Sequence, residues 1–318
     1  MSGRKAGFLF LMITLLSLTA DVLYPALTGW FPFLWTVPVY MSVSMGVLLV
    51  PLLIVSLLTP AFGREMFPFR RLSVRTFLIL VVLAVLLLPL ASSISALTQT
   101  LLGYRMVPFR AKIPAADFLE LLLCVGFIGP VTEELVFRGY IYQSMRKSGP
   151  VPACILSAFL FGLLHMNLIQ ASFAFVLGIV FAVCMVRTES LFAPMLLHIM
   201  FNSWQIASAY GPLPNWQNFF ARRLRGLYGL QRLQMLLLFA VPIVLLSAVL
   251  VGLLLGRFRF LRFNREVRAW EAGEESQEDT DDPPAILGVS TVLGACVCLE
   301  ACIFFEPAFQ WYFWRILY

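Results

Sequence analysis

The chain has 318 residues, 60% of them hydrophobic and 13% charged; a soluble globule carries about twice that share of charge. A soluble enzyme is thereby excluded, and the composition is that of a polytopic membrane protein. The net charge of +6 does not point to nucleic acid, because the basic residues sit mainly in short loops beside apolar runs, where they set topology and meet lipid headgroups.

In chain order, a basic start (residues 2–5, SGRK) precedes an apolar run from Ala6 to Ala20. SLTA before Asp21 has the look of a signal-peptide end, but apolar character resumes through Trp30, and a retained first helix is expected. Runs of about 20 residues, enough to cross a bilayer, follow at Leu34 to Leu58 and Phe77 to Leu97. The next is Asp117 to Tyr140, then Val151 to Met166, Leu168 to Val186, Leu191 to Tyr210, Met235 to Leu255 and Ala285 to Phe305. The fold expected is all-α, a polytopic transmembrane helix bundle of about eight or nine spans. Loop charge, richer in Arg and Lys at 64–75, 146–147, 187 and 257–268 than on the opposite face, places the N-terminus in the cytosol.

Between spans, Asn215 to Leu230 mixes Trp and Phe with Arg and reads as an interfacial helix or a headgroup-contacting loop. Residues 271–284 are acidic, nearly devoid of apolar side chains and expected to be disordered. WYFWRILY at the end is an aromatic belt. The six cysteines lie in apolar runs, where Cys packs as a small hydrophobe, and no disulfide framework is expected.

The chemistry concentrates in GPVTEELVFRGY, residues 129–140. Each charge at bilayer depth costs about 2.5–3.5 kcal/mol, so Glu133, Glu134 and Arg138 require partners or a water-filled cavity. Glu134 and Arg138 are four apart and share a helix face, acid N-terminal to base. Glu133 points about 100° away and lacks a partner on its own helix. Pro130 removes a backbone donor just before them and frees carbonyls that protein or water must satisfy.

Both histidines of the chain lie inside apolar runs. His165 follows Phe161 by four residues and His198 precedes Asn202 by four, each pair on one helix face. Loops 144–150 and 187–190 must lie on the same membrane face. At 1.5 Å rise per residue, Glu133 is then roughly 15–17 Å deep, His165 roughly 21 Å and His198 roughly 10–12 Å, so the three can share one cavity.

The set E-E-x-x-x-R (Glu133, Glu134, Arg138), F-x-x-x-H (Phe161, His165) and H-x-x-x-N (His198, Asn202), in that order on successive hydrophobic segments, resembles the CAAX prenyl protease and bacteriocin-processing (CPBP, or Abi) family of intramembrane proteases. The resemblance covers about 117–210. It implies a four-helix catalytic core with a conical polar cavity, flanked by N-terminal helices (1–116) and C-terminal helices (211–318). It also implies hydrolysis of peptide bonds in membrane-anchored substrates, prenylated C-terminal peptides among them. Glu133 would be the base that activates water and His165 would hold that water. His198 and Asn202 would donate to the oxyanion, and Glu134 with Arg138 would orient the helix. Two histidines and a glutamate could instead hold zinc with water in a fourth position, although the chain has no H-E-x-x-H; the expectation leans towards a metal-free site. The partners implied are a membrane-anchored substrate and the lipid bilayer, at the plasma membrane.

Other classes fit less well. No G-x-S-x-G elbow accompanies the histidines, and Asp is almost absent from the apolar runs. A transporter or proton relay also uses buried Glu, His and Arg, but the paired broken helices of two related halves are not visible. A catalytically silent scaffold or immunity protein would keep the polar cluster for shape.

Overall fold

The computed structural model describes residues 3–34, 36–58, 66–103, 117–146, 149–210, 213, 219, 222–224, 226–227, 229–254 and 289–300. The acidic stretch 271–284, half of the segment 215–230 and the terminal aromatic run fall outside these residues.

Nine helices and one short 3-10 turn make up the described chain, with no strand among the described residues. They are α1 (Gly3–Trp30), α2 (Val37–Leu57), α3 (Val74–Leu102), α4 (residues 118–145), α5 (Pro150–Leu164), α6 (Leu168–Thr188), α7 (Phe192–Tyr210), α8 (Gly229–Leu254) and α9 (Val289–Glu300). Five contain stretches long and apolar enough to cross a membrane: Arg4–Trp30, Val37–Leu57, Val74–Leu102, Leu168–Thr188 and Gly229–Leu246. The site helices α4 and α7 are outside that set. Polar side chains dilute α7, and α4 is interrupted by two π turns, Leu122–Ile128 and Leu135–Ile141.

Helix ends follow local chemistry. Ser73 caps α3 by accepting from the Thr76 N–H at 3.1 Å, and α3 stops at Gly103, whose φ of 76° is left-handed and suited to a residue without Cβ. Asp117 caps α4 and Asn167 caps α6, accepting from Leu119 N–H (2.7 Å) and Gln170 N–H (2.8 Å). Helix α5 starts at Pro150, where a missing N–H costs nothing.

Helix α4 is enclosed by α1, α2, α5 and α7. Leu9, Phe10 and Ile13 of α1 are fully buried in one apolar cluster with Val136, Phe137 and Tyr140 of α4 and Leu160 of α5. A second cluster joins Leu80, Leu83 and Leu87 of α3 to Phe181 of α6 and Leu197 and Phe201 of α7. Antiparallel α5 and α6 approach closely because Gly162 faces the Ala171 carbonyl and Gly178 faces Ala158; a Cβ at either glycine would lie 2.9–3.0 Å from those neighbours. Small residues serve this purpose in membrane bundles, where close van der Waals contact replaces the hydrophobic effect. Outward-facing leucines such as Leu53, Leu119 and Leu238 are exposed, as expected where hydrocarbon is the solvent.

One membrane face is tied together by the segment before α3. The Leu191 N–H donates to the Pro68 carbonyl (2.8 Å), the Ser190 hydroxyl to the Arg70 carbonyl (2.6 Å), and Arg70 pairs with Glu189. Phe67 covers Gly139, where a Cβ would lie 2.6 Å from its ring.

Candidate active site

The site is built on the α-helical turn Gly129–Glu134 between the two π turns of α4. The first π turn has an identifiable cause. Pro130 has no N–H for the Gly126 carbonyl, and the Gly129 N–H reaches back to Cys124, so the Val125 carbonyl is freed as well. Both orphaned carbonyls are taken by α7: Asn202 donates its Nδ2 to Val125 O (3.1 Å) and Ser203 donates its hydroxyl to Gly126 O (3.3 Å). Buried backbone acceptors demand such partners, and π turns recur at functional sites. At the second π turn the Tyr142 N–H bonds Phe137 O, which also accepts from the Ser157 hydroxyl of α5 at 2.9 Å.

Glu134 and Arg138 form the expected ion pair. Nη1 of Arg138 lies 3.0 Å from Oε1 of Glu134, and both side chains have no exposed surface. The guanidinium is held from three further sides. Its Nη2 donates to the Gly178 carbonyl of α6 at 3.0 Å, and its Cζ lies 4.5 Å from the ring centroid of Phe161 and 5.4 Å from that of Phe181. Desolvated cation–π contacts of this kind contribute about 2 kcal/mol.

His198 on α7 joins this pair. Its Nδ1 is 2.9 Å from Oε1 of Glu134, and a carboxylate paired with a guanidinium has only acceptors to offer, so Nδ1 carries the proton. The ring is thereby turned so that Nε2 faces Glu133, 3.8 Å from its Oε2. Phe161 and Phe181 wall it in, at centroid distances of 5.6 and 5.1 Å. Glu133 is the member that opens outward. Its side chain is 22% exposed, while its Oε2 is buried and has no hydrogen-bond partner. His165 closes α5 as its C-cap residue and is half-buried. Its ring packs edge-on against Phe161 at 5.1 Å, on the same phenyl ring that contacts His198.

The structure therefore links Glu134, Arg138 and His198 by direct bonds, sets Glu133 3.8 Å from His198 and places His165 one ring away. Asn202 stands one turn along α7 from His198 and donates an amide hydrogen to Val125 O. Two contributors escape the sequence reading, Gly178 and Phe181 of α6. Their signal is faint: a small residue in an apolar helix marks close packing but not what is packed.

Among the described residues no three His, Cys, Asp or Glu side chains form a cluster suited to a metal ion. Nδ1 of His198 and Oε1 of Glu134 are committed to each other. Glu133 and Nε2 of His198 remain, with His165 beyond the Phe161 ring; a catalytic zinc takes three protein ligands.

The site thus combines a carboxylate with an open face, imidazoles beside it and a buried ion pair behind it, on a scaffold of apolar helices. Residues 115–204 match the family model described as Rce1-like, "Type II CAAX prenyl endopeptidase Rce1-like". The chain is also similar to the Bacillus subtilis (strain 168) protein named "Putative membrane peptidase YdiL", 26% identical over 97 residues. That match spans 30% of this chain and 40% of the relative's length. No solved structure matches the chain.

Proposed function

We propose that the protein is an intramembrane endopeptidase that hydrolyses peptide bonds of membrane-anchored substrates, CAAX-type prenylated peptides among them, by water activated at Glu133. The observation that carries this reading is the partly exposed Glu133 side chain, whose buried Oε2 has no hydrogen-bond partner and lies 3.8 Å from Nε2 of His198. That gap is short enough for a single water or substrate oxygen to contact both groups.

In this scheme Glu133 removes a proton from water while His165 holds the oxygen. The oxygen attacks the scissile carbonyl carbon, the C–N bond breaks, and Glu133 passes the proton to the departing amine. The developing oxyanion accepts from the Asn202 side-chain amide and from Nε2–H of His198 as an imidazolium. Glu134 supplies the counter-charge to that ring, since Glu133 holds the water proton and is neutral at this stage. A donor aimed at the oxyanion in a dry site contributes about 3–4 kcal/mol. Enzyme, substrate and their shared membrane are proposed to be the plasma membrane system, with the N-terminus cytosolic.

The test uses purified protein in liposomes with a lipid-anchored peptide. Glu133→Gln is expected to abolish cleavage with helix content and thermal stability retained, and a chelator is expected to leave the wild-type rate unchanged. Cleavage that survives Glu133→Gln overturns the assignment of the base.

A further inference from the structure

We propose that α6, which brings no group to the reacting atoms, is the positioning element of the site: the Gly178 carbonyl and the Phe181 ring set the direction in which His198 points. The proposal rests on the peptidase reading for its consequence in turnover, but its geometry stands apart from it.

The chain of contacts runs inward from α6. Gly178 O accepts from Nη2 of Arg138 at 3.0 Å, and the approach is open because position 178 has no side chain; a Cβ there would lie 3.0 Å from that same Nη2. Phe181, one helical turn further on, covers the guanidinium at 5.4 Å and the His198 ring at 5.1 Å with an interplanar angle of 32°. With Nη2 anchored and one face covered, Arg138 presents Nη1 to Glu134. Oε1 of Glu134 then accepts from both Arg138 and Nδ1 of His198. With Nδ1 so fixed, Nε2 has one direction left, towards Glu133.

Without the α6 contacts, Arg138 would retain only the Glu134 bond and the Phe161 ring. Glu134 could then follow the guanidinium away from His198, and the imidazole would lose the bond that selects its protonated nitrogen. A hydrogen bond to the far nitrogen fixes imidazole orientation in the same way at metal sites. Misplacement by about 1 Å at a reacting centre costs up to about 100-fold in rate.

The chain contains two histidines, so a sample labelled with 15N-histidine reports on the site alone, and His165→Gln assigns the spectrum. In wild-type protein the His198 signals should show a hydrogen-bonded Nδ1–H. In Phe181→Leu and in Gly178→Ala that signature is expected to shift or broaden, with kcat lowered about 10- to 100-fold and KM within about twofold. Because Gly178→Ala also presses on Ala158, Phe181→Leu is the primary variant, and circular dichroism and thermal melting confirm that it is folded. An unchanged His198 signature in folded Phe181→Leu overturns the proposal. A shifted signature in a protein whose wild type cleaves no peptide supports the positioning role and refutes the peptidase reading instead.

Discussion

Arg138 is a cation with no exposed surface, and its surroundings account for its tolerance in the bundle: one carboxylate, one carbonyl and two aromatic faces. Removing the cation while keeping its bulk exposes the cost of what it neutralises. Arg138→Met is expected to destabilise the protein by about 3–5 kcal/mol, the usual penalty for stranding one member of a buried pair, measured by denaturant titration in detergent. The pairing was readable from the i, i+4 spacing of Glu134 and Arg138, and the separate character of Glu133 followed from the helix angle. The bond between Glu134 and His198 was not. It joins residues 64 positions apart, and nothing in either helix's own periodicity encodes which nitrogen meets which oxygen. Gly178 was hidden for the same reason, since its contribution is a carbonyl that every residue possesses.

At the scale of the element, helix α4 owes its shape to a missing hydrogen. Pro130 leaves the Gly126 carbonyl to Ser203, so the two positions are energetically coupled. Ser203→Ala is expected to cost about 1–3 kcal/mol, the penalty for an unsatisfied buried acceptor. In a Pro130→Ala background, where a backbone N–H is again present to serve Gly126, the same change should cost much less. A double-mutant cycle read by thermal unfolding checks this, and additive effects would show that the freed carbonyl is not what Ser203 serves. The loosening of this helix was legible from the proline. Its resolution as two π turns was not, because the choice depends on which donors α7 places opposite.

Across the whole molecule, the helix order and approximate limits followed from apolar run length alone, as α1 through α7 attest. Hydropathy was a weaker guide at α7, because the groups that make the site are the ones that lower its apolar average. Orientation rests on loop charge. In a cysteine-free background, single cysteines at 71, 146 and 189 are expected to react with a membrane-impermeant reagent from the cytosolic side and one at 103 from the other. The reverse pattern would invert the topology. The lengths of neighbouring helices carry one more consequence. Helix α5 has 15 residues and rises about 22 Å, and Val151, Ile155 and Phe159 form its exposed stripe. Helix α3 has 29 residues and rises about 43 Å. A hydrocarbon layer of about 30 Å must thin beside the one and be met by tilt in the other. The shortened leaflet lies next to the helix that ends in His165, so acyl-chain length should act as a control on turnover, which is expected to fall steadily as the host lipid is changed from 14- to 20-carbon chains.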